Sequence, residues 1–277
     1  MNSLLMKDEM PTPDDTSHEK FYDHYAKASQ GKESLQRFRS IRDCVLRVIG
    51  ERNSAAQCLE VVDIGCGAGT GSMMWAELGH QVHGLDVNRP LLELARERAA
   101  SAGYIVDFRT GSALNLPWND GSMDVCIVLE LLEHVADWKK CLSECTRVLR
   151  PGGVLFLTTT NKLCPIQEEF NLPLYSWYPA PLKHYFENLA VTKRQDLANY
   201  AKYPAVNWFS FYRLRAVLAA QGFQCLDRFD ITDVSDKSPL KRLIVYSVRA
   251  ISLLRFLAHV ASPGTIVVAI KGRSTAI

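Results

Sequence analysis

The residues best placed to do chemistry lie behind the first strongly apolar run of the chain. Val61–Gly71 reads VVDIGCGAGTG, with Asp63 ahead of glycines at 65, 67, 69 and 71. Glycine tolerates left-handed backbone and lets a ligand approach the main chain. Between a strand and a helix, such a run is a candidate loop for a nucleotide-like ligand. The dinucleotide pattern G-x-G-x-x-G fails in both registers: from Gly65 its last place is Thr70, and from Gly67 it is Ser72. The next apolar run ends in GLDV, with Asp86 and Val87 at its tip. A carboxylate there can accept from two adjacent ribose hydroxyls. The competing reading is structural, with Asp63 capping the glycine turn and Asp86 capping a helix at 89–101.

Three further segments carry polar groups at strand ends. GSALNLPW, Gly111–Trp118, offers Ser112 and Ala113 just past the third strand. LELLEHV, Leu129–Val135, follows the fourth and puts Glu130, Glu133 and His134 at i, i+3 and i+4, one face of a helical turn. Two carboxylates and an imidazole can hold a divalent cation, or His134 can serve as a general base toward an acceptor hydroxyl. Alternatively the side chains are polar lining, and backbone at 129–130 frames a ligand. TTTNK, Thr158–Lys162, ends the fifth strand, where Thr160 and Asn161 are candidate acceptor contacts.

The arrangement Asp63, Gly65, Gly67, Gly69 resembles motif I of the class I S-adenosylmethionine-dependent methyltransferases. The E-x-x-E-H-V of 130–135 is similar to the corresponding segment of the ubiquinone and menaquinone biosynthesis methyltransferases. The resemblance spans about residues 20–160 and returns in the last strands. It implies S-adenosyl-L-methionine as cofactor, held by Asp63, Gly65, Cys66, Gly67, Gly69, Asp86, Val87, Ser112, Ala113 and Glu130. Asp63 would meet the amino group of the methionine moiety. Ser112 stands where the family usually carries an acid that touches adenine. In the quinone group the E-x-x-E-H segment has been linked to a divalent cation, which makes Glu130, Glu133 and His134 the candidate metal set. The implied reaction is methyl transfer to a small-molecule acceptor, first an O-methylation of a hydroxylated, lipid-linked or quinone-type compound. Its rivals are N- or C-methylation of a soluble metabolite and a non-catalytic cofactor-binding subunit. A nucleic-acid substrate is disfavoured, because no Asn/Asp-Pro-Pro-aromatic motif follows the fourth strand.

Positioning these groups requires strands that end together. From Cys58, short β-branched runs alternate with amphipathic stretches such as RPLLELARERAASAG and DWKKCLSECTRVLR. That alternation predicts an α/β fold, a mostly parallel sheet with helices on both faces; the resemblance makes it a doubly wound, seven-stranded, Rossmann-like sheet. RPGG at 150–153 reads as a helix stop and turn. Cys141 and Cys145 share a helical stripe with Trp138, Leu142 and Val148, which reads as core rather than a metal pair. The eight cysteines form no CxxC and suit a reducing, cytoplasmic setting. Residues 1–19 read as a disordered tail without a targeting signal, and 20–277 as one methyltransferase domain.

Two insertions interrupt the late sheet. Residues 161–208 are rich in proline and aromatics and read as a lid over the crevice, with His184 and Tyr185 as candidate acceptor contacts. Residues 238–261 read as a basic amphipathic helix, with Lys241, Arg242, Arg249, Ser252, Arg255 and His259 on one arc of a single helical wheel. Such a helix suits an anionic membrane interface or burial against the domain or a second subunit. The net charge of +2 conceals a division: 25 bases and 30 acids precede residue 237, and seven bases with no acid follow.

Overall fold

A computed structural model describes residues 29–50, 58–199 and 204–273. The expected tail at 1–19 lies outside the described residues. In chain order the elements are α1 (Lys32–Gly50), β1 (Glu60–Ile64), α2 (Thr70–Ala76), β2 (Gln81–Asp86), α3 (Arg89–Ser101), β3 (Asp107–Thr110), β4 (Met123–Leu129), α4 (Trp138–Val148), β5 (Leu149–Thr160), α5 (Ala180–Thr192), α6 (Phe211–Ala219), β6 (Phe223–Asp227), α7 (Pro239–Ala250), α8 (Ser252–Val260) and β7 (Gly264–Lys271). The seven strands form one sheet in the order β3-β2-β1-β4-β5-β7-β6. β7 runs antiparallel to both its neighbours, and the remaining pairs are parallel. The doubly wound α/β architecture read from the sequence is therefore the one observed.

The two-residue period of the strands explains the two cores. In β5, Leu155 and Leu157 face one layer while Val154 and Phe156 face the other; β7 divides Val267 and Ala269 from Val268 and Ile270 in the same way. The first layer is closed by α4, whose Trp138, Cys141, Leu142, Cys145 and Val148 are all buried, and by Phe211, Leu214 and Leu218 of α6. Cys141 and Cys145 are core, as their spacing indicated. The second layer is closed by Ile41, Val45 and Val48 of α1 and by Trp75 of α2.

Arg150–Gly153 differs from expectation. α4 does stop at Val148, but β5 starts at once: Leu149 pairs with Met123, and pairing resumes at Val154 with Val125. The four residues between form a bulge inside the strand, with Gly152 at φ 84°, a left-handed value that suits glycine.

The first insertion carries its own small core, in which Phe170 stacks on Tyr175 at 4.1 Å and Tyr175 meets Trp208 edge-on at 5.5 Å. Lys183 is buried within it, its ammonium 4.2 Å from the Trp208 ring and donating to the Ser176 carbonyl.

The second insertion corrects the single-helix reading. It is two helices, α7 and α8, meeting at 107° around Ile251, whose backbone is extended. The wheel built on one continuous helix therefore does not apply. Its basic residues split: Lys241 and Arg242 are exposed, whereas Arg249 and Arg255 turn toward the domain. Arg249 donates to the carbonyls of Phe229, Asp230 and Thr232 beyond β6. Arg255 pairs with Asp227 and Asp230, and His259 lies 2.9 Å from the same Asp227 carboxylate. Burial pushes the Asp227 carboxyl up, but the bonds to His259 and Arg255 outweigh it and hold it well below the usual range. Removing a fully buried carboxylate strands the charge of its partners. Asp227→Ala is expected to lower the free energy of unfolding in urea by about 3–5 kcal/mol.

Candidate active site

The loop between β1 and α2 leaves the sheet at the point where strand order reverses, β1 having β2 on one side and β4 on the other. In open α/β sheets a ligand crevice forms at this switch point. Gly65, Gly67 and Gly69 adopt φ values of 76°, 51° and 74°, each in the left-handed region. A Cβ on Gly65 would come within 3.3 Å of Leu131 beyond β4, so the loop and the post-β4 turn approach closely. A Cβ on Gly69 would lie 2.7 Å from Phe108 and 2.8 Å from Ala95, a spacing that only glycine allows.

Asp86 stands at the tip of β2. One of its oxygens accepts from the Gly67 N–H at 2.8 Å and the other from the Asn88 N–H at 2.8 Å. It does not cap α3; Asn88 does, through its side chain and the Leu91 N–H. Asp86 thus ties the glycine loop to the β2 tip while remaining partly open, with Val87 exposed beside it. Asp63 is buried and accepts from the Ser72 hydroxyl at 2.7 Å, which links it to α2. Burial lifts its carboxyl to about 6, and neighbouring Asp86 adds to the rise.

The other candidate cofactor residues are placed unevenly. The Cys66 side chain packs into the core with Leu92, Ala95 and Phe108, leaving only its backbone toward the loop. Ser112 folds back to accept from the Leu114 N–H at 3.2 Å, and Ala113 is core. Glu130 sits at φ 50°, unusual for a residue with a side chain. Its N–H donates to the Thr158 carbonyl, and its carboxylate pairs with Arg37 of α1.

That left-handed turn separates residues expected on one helical face. Residues 131–135 form an irregular turn rather than a helix, so Glu130 points to Arg37 and away from the metal set in which it was expected. Instead Glu133, His134 and Glu169 bring one ligand-capable atom each within 4.8 Å of one another. Glu169 comes from the first insertion, far along the chain, and sequence spacing had no means of pairing it. Glu133 is fully buried: one oxygen accepts from the Thr159 hydroxyl at 2.8 Å, and the other has no hydrogen-bond partner. Burial pushes the Glu133 carboxyl up to about 8 and the Glu169 carboxyl to about 7, with Glu130 adding to both.

The insertion is stapled to this turn. Val206 and Asn207 donate their N–H groups to the Glu133 carbonyl, and the Asn207 side chain donates to the carbonyls of Leu132 and Val135. Thr160, expected to touch an acceptor, donates instead to the Asn207 carbonyl. Asn161 is corrected in the same way: it is buried, its amide donates to the carbonyls of His259 and Ser262, and its oxygen accepts from the Leu163 N–H. His184 and Tyr185 stand exposed on α5, His184 paired with Glu187 at 2.9 Å.

Residues 62–157 match the family model described as a methyltransferase domain. The ubiquinone biosynthesis O-methyltransferase of Mesorhizobium japonicum is 36% identical over 125 residues, which is 44% of this chain and 50% of that one. A probable S-adenosylmethionine-dependent methyltransferase of Mycolicibacterium smegmatis is 38% identical over 104 residues, 38% of this chain and 39% of its own length. The chain therefore spans half or less of the length of these curated relatives. Among solved structures, a putative sarcosine dimethylglycine methyltransferase from Galdieria sulphuraria superposes with TM-score 0.54 at 18% identity, covering 86% of each chain. A protein from Pyrococcus horikoshii gives 0.53 at 16%, over 91% of this chain and 98% of its own. These structures share the fold of the methyltransferase domain. The family implies S-adenosylmethionine as cofactor, and the left-handed glycines with a partly open carboxylate beside them suit it.

Burial raises four carboxyls of the site, Asp63, Asp86, Glu133 and Glu169, and so gives it a pH signature. The unfolded chain ionises a glutamate near 4.3, whereas Glu133 holds its proton to about 8 in the folded protein. Folded-state stability therefore falls as pH rises between those values. Above pH 7, Glu133 is the last of Asp63, Glu169 and Glu133 to ionise. Glu133→Gln is expected to flatten the decline in unfolding free energy between pH 7 and 8, where the wild type loses up to about 1.4 kcal/mol per pH unit.

Proposed function

We propose that this chain transfers a methyl group from S-adenosylmethionine to a hydroxyl oxygen of a small-molecule acceptor. The observation that carries the reading is Asp86, held by the Gly67 N–H at the β2 tip with a left-handed glycine loop beside it. When bound, the cofactor supplies a methyl group on a positively charged sulfur. Asp86 receives the ribose hydroxyls, and the backbone at Gly65, Cys66, Gly67 and Gly69 allows the close approach. Asp63 takes the ammonium of the methionine moiety. Val87 and the backbone of Ser112 and Ala113 border the adenine, and the Glu130 backbone closes the far side.

His134 would take the proton that the acceptor hydroxyl gives up on methylation. Positioning the two reactants and excluding water supplies much of such a rate. The lid, fastened to the 130–135 turn through Asn207, is suited to both tasks. The curated relatives named as O-methyltransferases support oxygen as the methylated atom.

Calorimetric titration tests the cofactor assignment. Asp86→Ala is expected to weaken S-adenosylmethionine binding at least about tenfold, the loss of two charge-assisted hydrogen bonds. Wild-type affinity should rise with pH through about 6 as Asp63 ionises, and Asp63→Asn should reduce that dependence, leaving the part due to the raised Asp86 carboxyl. His134→Ala should cut turnover by about 100-fold with cofactor affinity unchanged; full turnover would remove the base assignment. The acceptor is sought in lipid and polar extracts of cells with and without the protein, as a mass difference of one CH2.

A second reading rests on the unpartnered oxygen of buried Glu133. Glu133, His134 and Glu169 form a donor set able to hold a divalent cation, which would orient the acceptor oxygen. Titration with Mg2+, Mn2+ and Zn2+ should raise the melting temperature of the wild type and leave Glu169→Gln unmoved. No shift with any of the three ions would remove this reading.

A further inference from the structure

The bent helix pair α7–α8 is built inside out for a soluble domain. Arg249 and Arg255 face inward to Asp227, Asp230 and the carbonyls beyond β6, while Arg242 stays exposed. Its large apolar side chains face outward: Leu240, Leu243, Ile244, Leu253, Phe256 and Leu257 are each 41–67% exposed. No residue of α7 is buried, and in α8 only His259 is. Six large apolar side chains left exposed on one helix pair mark an interaction site. No single helix among the described residues is long and apolar enough to cross a membrane, but the two together have the hydropathy of a membrane segment, bent by 107°.

Charge indicates what covers this surface. Lys237, Lys241 and Arg242 are exposed at the amino end of α7, with Asp233 near Lys237. No acid follows Asp236 in the chain. A second copy docking face to face would oppose one basic segment to another, which like-charge repulsion disfavours. An anionic bilayer complements both the apolar faces and the cations. The location also fits. Asn161, at the carboxyl end of β5, binds the carbonyls of His259 and Ser262, so α8 is rooted at the sheet edge that carries the glycine loop.

We propose that α7 and α8 seat the protein on the surface of an anionic lipid bilayer, with their apolar faces in the acyl boundary and Lys237, Lys241 and Arg242 on the headgroups. The contact brings the carboxyl edge of the sheet against the lipid, where a membrane-borne acceptor is within reach. It does not depend on the methyl-transfer reading, since binding requires neither cofactor nor acceptor.

The test is flotation of the full chain with vesicles of phosphatidylcholine alone or mixed equally with phosphatidylglycerol, alongside sedimentation velocity without lipid. The wild type is expected to float with the mixed vesicles. Leu243→Glu with Leu253→Glu should reduce partitioning at least about tenfold. Lys241→Glu with Arg242→Glu should do so on the mixed vesicles, with the remaining binding insensitive to salt. Both pairs are exposed, and unchanged circular dichroism and melting temperature establish that the variants fold. Failure of the wild type to float with mixed vesicles overturns the proposal. So does a lipid-free dimer that the leucine variant dissolves while vesicle binding stays intact.

Discussion

At the carboxyl edge of the sheet the backbone leaves regular pairing, yet its buried N–H and C=O groups still require partners. Side chains supply them, and nearly every feature of the site follows. Asp86 satisfies the N–H groups of Gly67 and Asn88, which holds the glycine loop to the β2 tip. Asn207 satisfies the carbonyls of Leu132 and Val135, which fastens the aromatic insertion to the turn after β4. Asn161 and Arg249 do the same for the helix pair, at the ends of β5 and β6. Polar residues that looked available for ligands were in several cases already committed to the main chain.

That commitment separates what the sequence made legible from what it concealed. The fold was readable because strand periodicity and helix stripes are local: Val154–Leu157 and Trp138–Val148 declare their buried faces within a few residues. The glycine loop was readable because φ > 0 has few chemical solutions. Thr160 and Asn161 misled because strand-end position says nothing of long-range bonds, and their partners lie 47 to 101 residues away. The 130–135 segment misled because its spacing presumed a helix, while the left-handed backbone of Glu130 turned one carboxylate to α1 and left Glu133 facing an acid from the insertion.

The helix pair miscarried for a related reason. A wheel assumes one axis, and the extended backbone at Ile251 divides the segment in two. Composition foretold a basic and an apolar face but not their sense. The buried carboxylate of Asp227, fixed by β6, draws Arg255 and His259 inward and so sends the leucines out. An apolar surface is here the by-product of an internal ion pair, and the two belong to one device.

The aromatic insertion has its own core, and hydrogen bonds through Val206, Asn207 and Phe209 join it to the sheet domain. A segment that folds around its own stacked rings and docks through a short polar clasp is a cassette. Its interior can be rewritten without disturbing the sheet, provided the clasp is kept. Divergence of acceptor preference in such a chain would then concentrate between residues 164 and 199, leaving the cofactor loop and the clasp as the unchanging frame.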